Sequence, residues 1–340
     1  MCERRVPGRA WAALAVALAL SGCAARGPVL APRLPPEARA EAVDLDHTPF
    51  FPQQAYRCGP AALATVLVAS GADASPDRLA DQVFLPGRRG SLQAELIAAV
   101  RRHGRVPYRL RPELSALLAE LRAGRPVLVL QDLGVGPFPV WHYAVVTGYD
   151  PDGDVVRLRS GTERRKTMEA AGFARTWERA GHWGLLALHP GALPAADDPQ
   201  GFAKAVAGLE ATGRWEDAGR SYAAGIGRWP DDAILRLGLA NVHYRLGEPA
   251  LAERGYRAAI DLDPGSAAAR NNLARTLLDR GCRREALETV DRALALPEVP
   301  PDLHRALRET RAAIRARPAA DAQAGCALAA GVPLRPPMSD

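Results

Sequence analysis

A cysteine and a histidine are the residues of this sequence whose types and settings point to chemistry. Cys58 follows a polar, glutamine-bearing loop and opens an unbroken run of small and apolar residues with the spacing of a buried helix. Pro60 is tolerated in the first turn of such a helix, and Gly71 supplies its C-terminal stop. Backbone N–H groups and the positive end of the helix dipole favour an anion at a helix start. The sequence therefore favours a nucleophilic thiolate at Cys58 over a small buried cysteine used as packing.

His142 is the candidate base for that thiol. It lies between Trp141 and Tyr143 in a predicted strand, and it follows a loop rich in glycine and proline. A histidine near the start of a strand can face a cleft. A helix-start cysteine followed by a strand-borne histidine is the order found in papain-like peptidases. His142 would take the proton from Cys58 and return it to the leaving amine.

The elements that must position these residues indicate an α+β domain at about residues 45–190. Helical patterns come first, with Ser75 and Ser91 as predicted N-caps, and strand patterns follow. The turn signal Asp-Pro-Asp-Gly at 150–153 predicts a hairpin, and the continuous apolar run at 126–131 is typical of a buried strand. After the helix at Cys58, the predicted helices are residues 76–83, 91–104, 113–123 and 168–179, and the predicted strands are residues 106–111, 126–131, 140–149, 154–160 and 183–188.

Two strings within this domain resemble a known family. They are Q-Q-x-x-x-C-G-P-A-A-L at residues 53–63 and H-Y-A-V-V-x-G-Y-D at residues 142–150. Together they resemble the bacteriocin-processing, double-glycine cysteine peptidases, and most closely the periplasmic lipoprotein branch that carries tetratricopeptide repeats. The resemblance covers about residues 48–190 and implies a papain-like fold.

The resemblance also implies roles for individual residues. Cys58 would be the nucleophile and His142 the general base. A glutamine shortly before the cysteine would line the oxyanion hole with the Cys58 backbone N–H, a donor worth about 3–4 kcal/mol of transition-state stabilisation. Gln53 fits that spacing best, and Gln54 is its close competitor.

The sequence departs from the family pattern at the residue that orients the imidazole. The family places an aspartate on the strand after the histidine. Here the predicted hairpin makes His142 face Ser160 or the residue after it, so Ser160 occupies the orienting position. Asp150 and Asp154 would lie roughly 20 Å away along the hairpin. A serine can accept a hydrogen bond from Nδ1–H, but it does not stabilise an imidazolium as a carboxylate does.

A second, all-α domain is predicted from internal repetition after residue 200. Residues that recur at intervals of 34 positions include Gly213, Gly247 and Gly281, and also Ala218, Ala252 and Ala286. This period predicts three tetratricopeptide units at 199–232, 233–266 and 267–300, the first with Gly225 where alanine is expected. A capping helix at 303–315 would complete a solenoid that spans residues 199–318. Its concave face would bind a peptide or a partner protein, the alternative being a passive spacer.

The N-terminus is interpreted as a lipoprotein signal. Residues 1–22 combine a basic start with a short apolar run, and they end in Leu-Ser-Gly before Cys23. We expect Cys23 to carry the lipid and residues 23–44 to form a tether. By this resemblance the protein is anchored to the bacterial outer membrane and faces the periplasm. Residues 191–198 are read as an interdomain linker and residues 319–340 as a disordered tail.

Composition excludes several other classes. The net charge of +6 on 340 residues is too mild to argue for nucleic acid, and no basic run is interleaved with aromatic residues. The sequence lacks a Cys-x-x-Cys pair and a His-Glu-x-x-His motif, so neither zinc nor another cofactor is expected. Cys282 and Cys326 could form a disulfide in an oxidising periplasm or remain separate thiols.

These observations predict a membrane-tethered cysteine peptidase whose repeats hold a substrate or partner. An alternative is a binding protein in which a weak or inactive peptidase-like domain serves as scaffold. Acyl-transfer or amidase chemistry on the same residues is a third possibility.

Overall fold

The computed structural model describes residues 41–53 and 57–317. The predicted signal peptide at 1–22, the lipid site Cys23, the greater part of the tether and the predicted tail at 319–340 lie outside the described residues. No described helix is both long enough and apolar enough to cross a membrane.

A seven-stranded sheet forms the centre of the first domain within the described residues. Its main path runs β2-β7-β3-β4-β5-β6, with β1 paired to β4, and each of these pairings is antiparallel. The strands are β1 (Val43–Asp44), β2 (Val106–Arg109), β3 (Val127–Asp132), β4 (Trp141–Asp150), β5 (Val155–Ser160), β6 (Glu163–Glu169) and β7 (Gly184–Leu188).

Five helices accompany this sheet, close to their predicted positions. They are α1 (Cys58–Ala69), α2 (Pro76–Val83), α3 (Gln93–Arg102), α4 (Leu114–Arg122) and α5 (Ala170–Arg179). Ser75 is the N-cap of α2, as predicted, and its hydroxyl accepts from the Arg78 backbone N–H. The predicted Ser91 cap is wrong, because α3 is capped by Leu92 without a side-chain hydrogen bond. The Ser91 side chain packs instead against Gly59 in the first turn of α1.

Both faces of the sheet are covered, which explains the unbroken apolar run of β3. Leu128 and Leu130 pack into one core with residues of α1, α2 and α3. Val127 and Val129 point the other way, into a core that includes residues of α4 and α5. The prediction of an α+β papain-like domain followed by an all-α tetratricopeptide-repeat solenoid is confirmed.

The sheet differs from the predicted one at its edges and in one register. The edge strand β6 was missed because its sequence, E-R-R-K-T-M-E, is largely exposed and shows no apolar alternation. The two-residue strand β1 was also missed. In the β4–β5 hairpin, the predicted position of His142 opposite Ser160 or the residue after it places Val145 opposite residue 157 or 158. Val145 pairs instead with Arg159, and the register shifts at a bulge between Val146 and Gly148.

The repeats form three helix pairs and a capping helix, as the 34-residue period predicts. They are α6 (Pro199–Glu210), α7 (Trp215–Arg228), α8 (Ala233–Arg245), α9 (Pro249–Leu262), α10 (Ala267–Asp279), α11 (Arg283–Leu294) and α12 (Pro301–Ala316). Gly213, Gly247 and Gly281 follow the first helix of each pair and have φ of +75°, +78° and +83°. These left-handed conformations favour glycine, so the recurring residue marks the turn inside each unit.

The first repeat packs directly on the domain that contains the sheet. Phe202 and Val206 of α6 share a buried core with Tyr108 of β2 and with Leu186 and Leu188 of β7. The segment 191–198, predicted as a linker, contributes polar contacts to the same junction. The Tyr108 hydroxyl donates to Asp198 at 2.8 Å, and the Ala195 N–H donates to the buried Glu120 carboxylate at 2.7 Å.

Candidate active site

Cys58 is the first residue of α1, as the sequence predicts. Arg57 precedes it as N-cap without a side-chain hydrogen bond. The first-turn N–H groups therefore stay available to an anion. The Cys58 thiol is free and half-buried, and it lies against the apolar core beneath α1. A nucleophile at this position is both accessible and held by the helix.

One cavity of about 880 Å³ brings the predicted residues together. Cys58, His142 and Gln53 all line its wall, although they are up to 89 positions apart in the sequence. Strand β4 begins at this cavity, so Trp141 and Tyr143 reach it beside His142. The remaining lining residues are Arg88, Arg89, Gly90, Ser91, Leu92, Gln93, Ala94, Leu130, Gly161 and Ala180.

Ser160 contacts His142 through a different nitrogen from the predicted one. Its hydroxyl oxygen lies 2.8 Å from Nε2 of the imidazole. This correction matters chemically, because none of the described residues forms a hydrogen bond with Nδ1. A tautomer with the proton on Nε2 donates to Ser160 and presents the Nδ1 lone pair as a base. Ser160 is buried at the end of β5, so its hydroxyl is held beside the imidazole.

The surroundings of His142 disfavour its protonated form. Burial lowers the pKa of His142 below its ordinary value, and the positive charge of Lys166 lowers it further. The imidazole is therefore neutral at physiological pH, which suits a proton acceptor. It also means that the imidazolium formed after proton transfer is poorly stabilised.

Gln53 lies at the cavity edge and is tied to the sheet. Its backbone N–H donates to the Gly161 carbonyl at 2.9 Å, and its side-chain amide lies 3.5 Å from the Tyr143 carbonyl. Gln54, the competing candidate, lies outside the described residues. The Arg159 guanidinium donates to two carbonyls upstream of Gln53, those of Asp46 at 2.8 Å and Thr48 at 3.2 Å. Arg159 thus positions the segment that carries Gln53, a role that no pattern in the sequence indicates.

Two further residues shape the floor of the cavity. The Tyr143 hydroxyl donates to the Ser91 carbonyl at 3.3 Å, which joins β4 to the start of α3. Burial raises the pKa of Tyr143, and the proximity of Cys58 raises it further, so the phenol stays neutral. A Cβ added at Gly59 would lie 2.5 Å from the Ser91 hydroxyl oxygen. The glycine of the Cys-Gly-Pro string is therefore required for steric reasons. It is the signal in the sequence that could have indicated a close neighbour at Gly59.

The charged side chains around the cavity are basic. Arg88 and Arg89 line it from the turn between α2 and α3, and among the described lining residues none is an aspartate or a glutamate. No described carboxylate in the wall therefore takes the place of the family's aspartate beside His142.

Cys282 is the other cysteine among the described residues, and it does not line this cavity. Cys282 is buried in the repeat core and disulfide-bonded. Cys326 and the lipid-site candidate Cys23 lie outside the described residues.

The repeats carry a separate, polar groove. Two adjoining pockets of about 240 and 270 Å³ share Tyr244 of α8 and Arg275 of α10. Asn241 and Asn272 line the first pocket and are linked by a 3.0 Å hydrogen bond. Such amide and guanidinium groups can bind the backbone or a carboxylate of a peptide.

Comparison with known proteins identifies both parts of the chain. Residues 45–184 match the Peptidase_C39 like family, and residues 234–276 match the tetratricopeptide repeat. The chain therefore carries a peptidase C39-like domain followed by a tetratricopeptide repeat, as the sequence strings indicate. No curated protein matches the chain.

Several solved structures are similar to parts of the chain. A C39-like peptidase from Bacillus anthracis is 16% identical, with 43% of this chain and 96% of that chain covered and a TM-score of 0.37. The Yersinia enterocolitica type III secretion chaperone SycD, solved with a peptide of the translocator YopD, is 22% identical, with coverages of 35% and 94% and a TM-score of 0.33. The second tetratricopeptide domain of human RPAP3, solved with an HSP70 peptide, is 20% identical, with coverages of 34% and 94% and a TM-score of 0.31.

Proposed function

We propose, from the premise that residues 45–184 form a peptidase C39-like domain, that this protein is a cysteine-type peptidase acting on extended peptides. The observation that carries the proposal is the shared cavity of Cys58, His142 and Gln53. A helix-start thiol, a base with an open nitrogen and an amide donor are the three groups that acyl transfer needs.

The reaction would proceed in two stages. His142 accepts the Cys58 proton at Nδ1, and the sulfur attacks the carbonyl carbon of the substrate. The Cys58 backbone N–H and the Gln53 amide stabilise the negative charge that develops on the carbonyl oxygen. His142 then gives its proton to the leaving amine, and an acyl-enzyme forms. A water molecule, deprotonated by His142, hydrolyses the thioester and restores the thiol.

A cysteine-directed activity probe tests this proposal. Wild-type protein should be labelled at Cys58, and labelling should disappear in both Cys58→Ala and His142→Ala. His47→Ala is a matched control, because His47 is an exposed histidine outside the cavity. An unlabelled wild type, or full labelling of His142→Ala, would contradict the peptidase proposal.

A second candidate is a scaffold with little or no catalysis. It is favoured by one observation, the neutral Ser160 at the position that orients His142. In that case the repeats carry the function. Full-length Cys58→Ala used as bait should then retain the same partners as wild type, while Arg275→Ala, in the repeat groove, should lose them.

We also propose that the protein is lipid-anchored at Cys23 and faces the periplasm from the outer membrane. The support is the sequence of residues 1–23, with its basic start, short apolar run and Leu-Ser-Gly-Cys ending. Expression with radiolabelled palmitate should mark the wild type and leave Cys23→Ser unmarked. Equal incorporation in both would refute the anchor.

A further inference from the structure

The loop that joins β3 to β4 is an apolar surface without an assigned role. We call residues 133–140, together with Trp141 at the start of β4, the apolar loop; it contains no charged residue. Eight large apolar side chains are exposed among the described residues, and five of them belong to this loop. The five are Leu133, Val135, Phe138, Val140 and Trp141. A cluster of exposed apolar side chains is typical of a surface that contacts a ligand or a partner.

Polar contacts at its base hold the apolar loop in place. The Asp132 carboxylate accepts from the backbone N–H groups of Gly134 and Val140, both at 2.9 Å. The Arg179 guanidinium donates to the carbonyls of Asp132 and Gly134. A Cβ at Gly134 would collide with the Phe138 carbonyl, so the loop closes tightly on itself. The backbone that carries these apolar side chains is thus already held in place. Binding of a ligand therefore costs little conformational entropy in the loop.

The apolar loop is continuous with the candidate active site. Trp141 belongs both to the loop and to the cavity wall, and His142 is the next residue. Trp141 is 54% exposed, Phe138 77% and Val135 86%, so the apolar surface next to the cavity wall is open to solvent. A peptide held at Cys58 that extends past His142 would meet this surface next.

We propose that the apolar loop docks the substrate, and that the substrate is a peptide with bulky apolar side chains beside the bond that is cut. This inference rests on the proposed peptidase function and adds the chemistry that selects the substrate. The loop offers no charge or side-chain hydrogen-bond partner apart from the Trp141 indole, so selection comes from burial of apolar area.

Peptide binding to the full-length Cys58→Ala protein tests the proposal without turnover. Two short fluorescent peptides of equal charge are compared by anisotropy, one with leucine and the other with serine at alternate positions. The leucine peptide should bind roughly tenfold more tightly, the effect of burying about one large apolar side chain. Adding Val135→Ser and Phe138→Ser should remove most of this preference. Adding Ile234→Ser, which replaces an exposed apolar residue of the repeats, should leave it intact.

Equal affinity for the two peptides, or an undiminished preference in the Val135→Ser/Phe138→Ser protein, overturns the inference. It is also overturned if those two changes abolish binding to phosphatidylglycerol vesicles while the peptide preference stays, because the loop would then contact membrane. Labelling of wild-type Cys58 by iodoacetamide is scored separately. An unlabelled Cys58 together with a retained leucine preference supports the docking surface and removes the peptidase function.

Discussion

Ser160 is the residue whose chemistry bears most directly on how well His142 can hold a proton. The serine hydroxyl can align the ring through its 2.8 Å contact with Nε2, but it brings no negative charge. Burial and the Lys166 cation already act against the protonated ring. A carboxylate at the same position would oppose both effects, because an anion beside the imidazole favours its charged form.

Ser160→Asp should therefore raise the pKa of His142, by about one to three units if the carboxylate lies within ~4–6 Å of the ring. NMR titration of the His142 ring protons measures this directly. The iodoacetamide labelling rate of Cys58 near neutral pH should rise in parallel, since a stabilised imidazolium favours the thiolate. Ser160→Asn is the matched control, with the same shape and no charge. An equal rise in Ser160→Asn, or none in Ser160→Asp, would show that a charge at position 160 does not control the pKa of His142.

The lowered pKa of His142 also predicts a pH dependence of folding. Below the unfolded value of about 6.5, the unfolded chain binds the proton more readily than the folded protein. Stability is thus fully present above that value and is lost as pH falls through it toward the lowered folded value. Urea unfolding between about pH 7.5 and pH 5 should show His142→Gln losing less stability than wild type, by at most about 1.4 kcal/mol per pH unit. His47→Gln, at an exposed site, should follow wild type.

At the scale of elements, the start of α1 is fixed by its contact with the start of α3. Alanine is normally the better helix former by about 1 kcal/mol, but at Gly59 it would approach Ser91 too closely. Gly59→Ala should lose about 1–3 kcal/mol of stability and slow the labelling of Cys58. Ser91→Gly removes the opposing atoms, so Gly59→Ala/Ser91→Gly should recover both properties. A double variant as impaired as Gly59→Ala would place the strain elsewhere.

The elements predicted from the sequence are those whose local pattern matches their burial. Strand β3 is apolar throughout because helices cover both faces, and α1 shows its helical run between a polar loop and Gly71. Strand β6 was not predicted because it is an exposed, charged edge strand. Its register and partner depend on contacts with β5 that leave no periodic signal.

The sequence identified residues that the fold places near one another, but not their contacts. Cys58, His142 and Gln53 line one cavity and Ser160 contacts His142, while their catalytic roles stay predictions. The nitrogen of His142 that contacts Ser160 was not predictable, because it depends on a hairpin register displaced by a bulge. Ser91 was predicted to be an N-cap because serine is a preferred capping residue just before a helix. Nothing in the local sequence distinguishes Ser91 from a serine that caps.

At the scale of the whole molecule, the peptidase-like domain and the first repeat share one core. The core that contains β2 and β7 extends through Phe202 of α6 and Tyr222 of α7 to Leu235 of α8, in the second repeat. The distal repeats and the capping helix have a separate core that contains Leu307. A ligand that orders the first repeat would therefore act on the sheet directly, whereas one on the capping helix would act through each intervening unit.

Phe202→Ala and Leu307→Ala, which both truncate fully buried side chains, should separate these two cores. Phe202→Ala should cost about 3–5 kcal/mol and reduce the hydrogen-exchange protection of Leu186 and Leu188 in β7. Leu307→Ala should cost about 2–5 kcal/mol, yet its loss of protection should stay within α10 to α12, because it borders no residue of the sheet core. If both variants leave β7 equally protected, the repeats fold independently of the peptidase-like domain, and the continuous core has no energetic consequence.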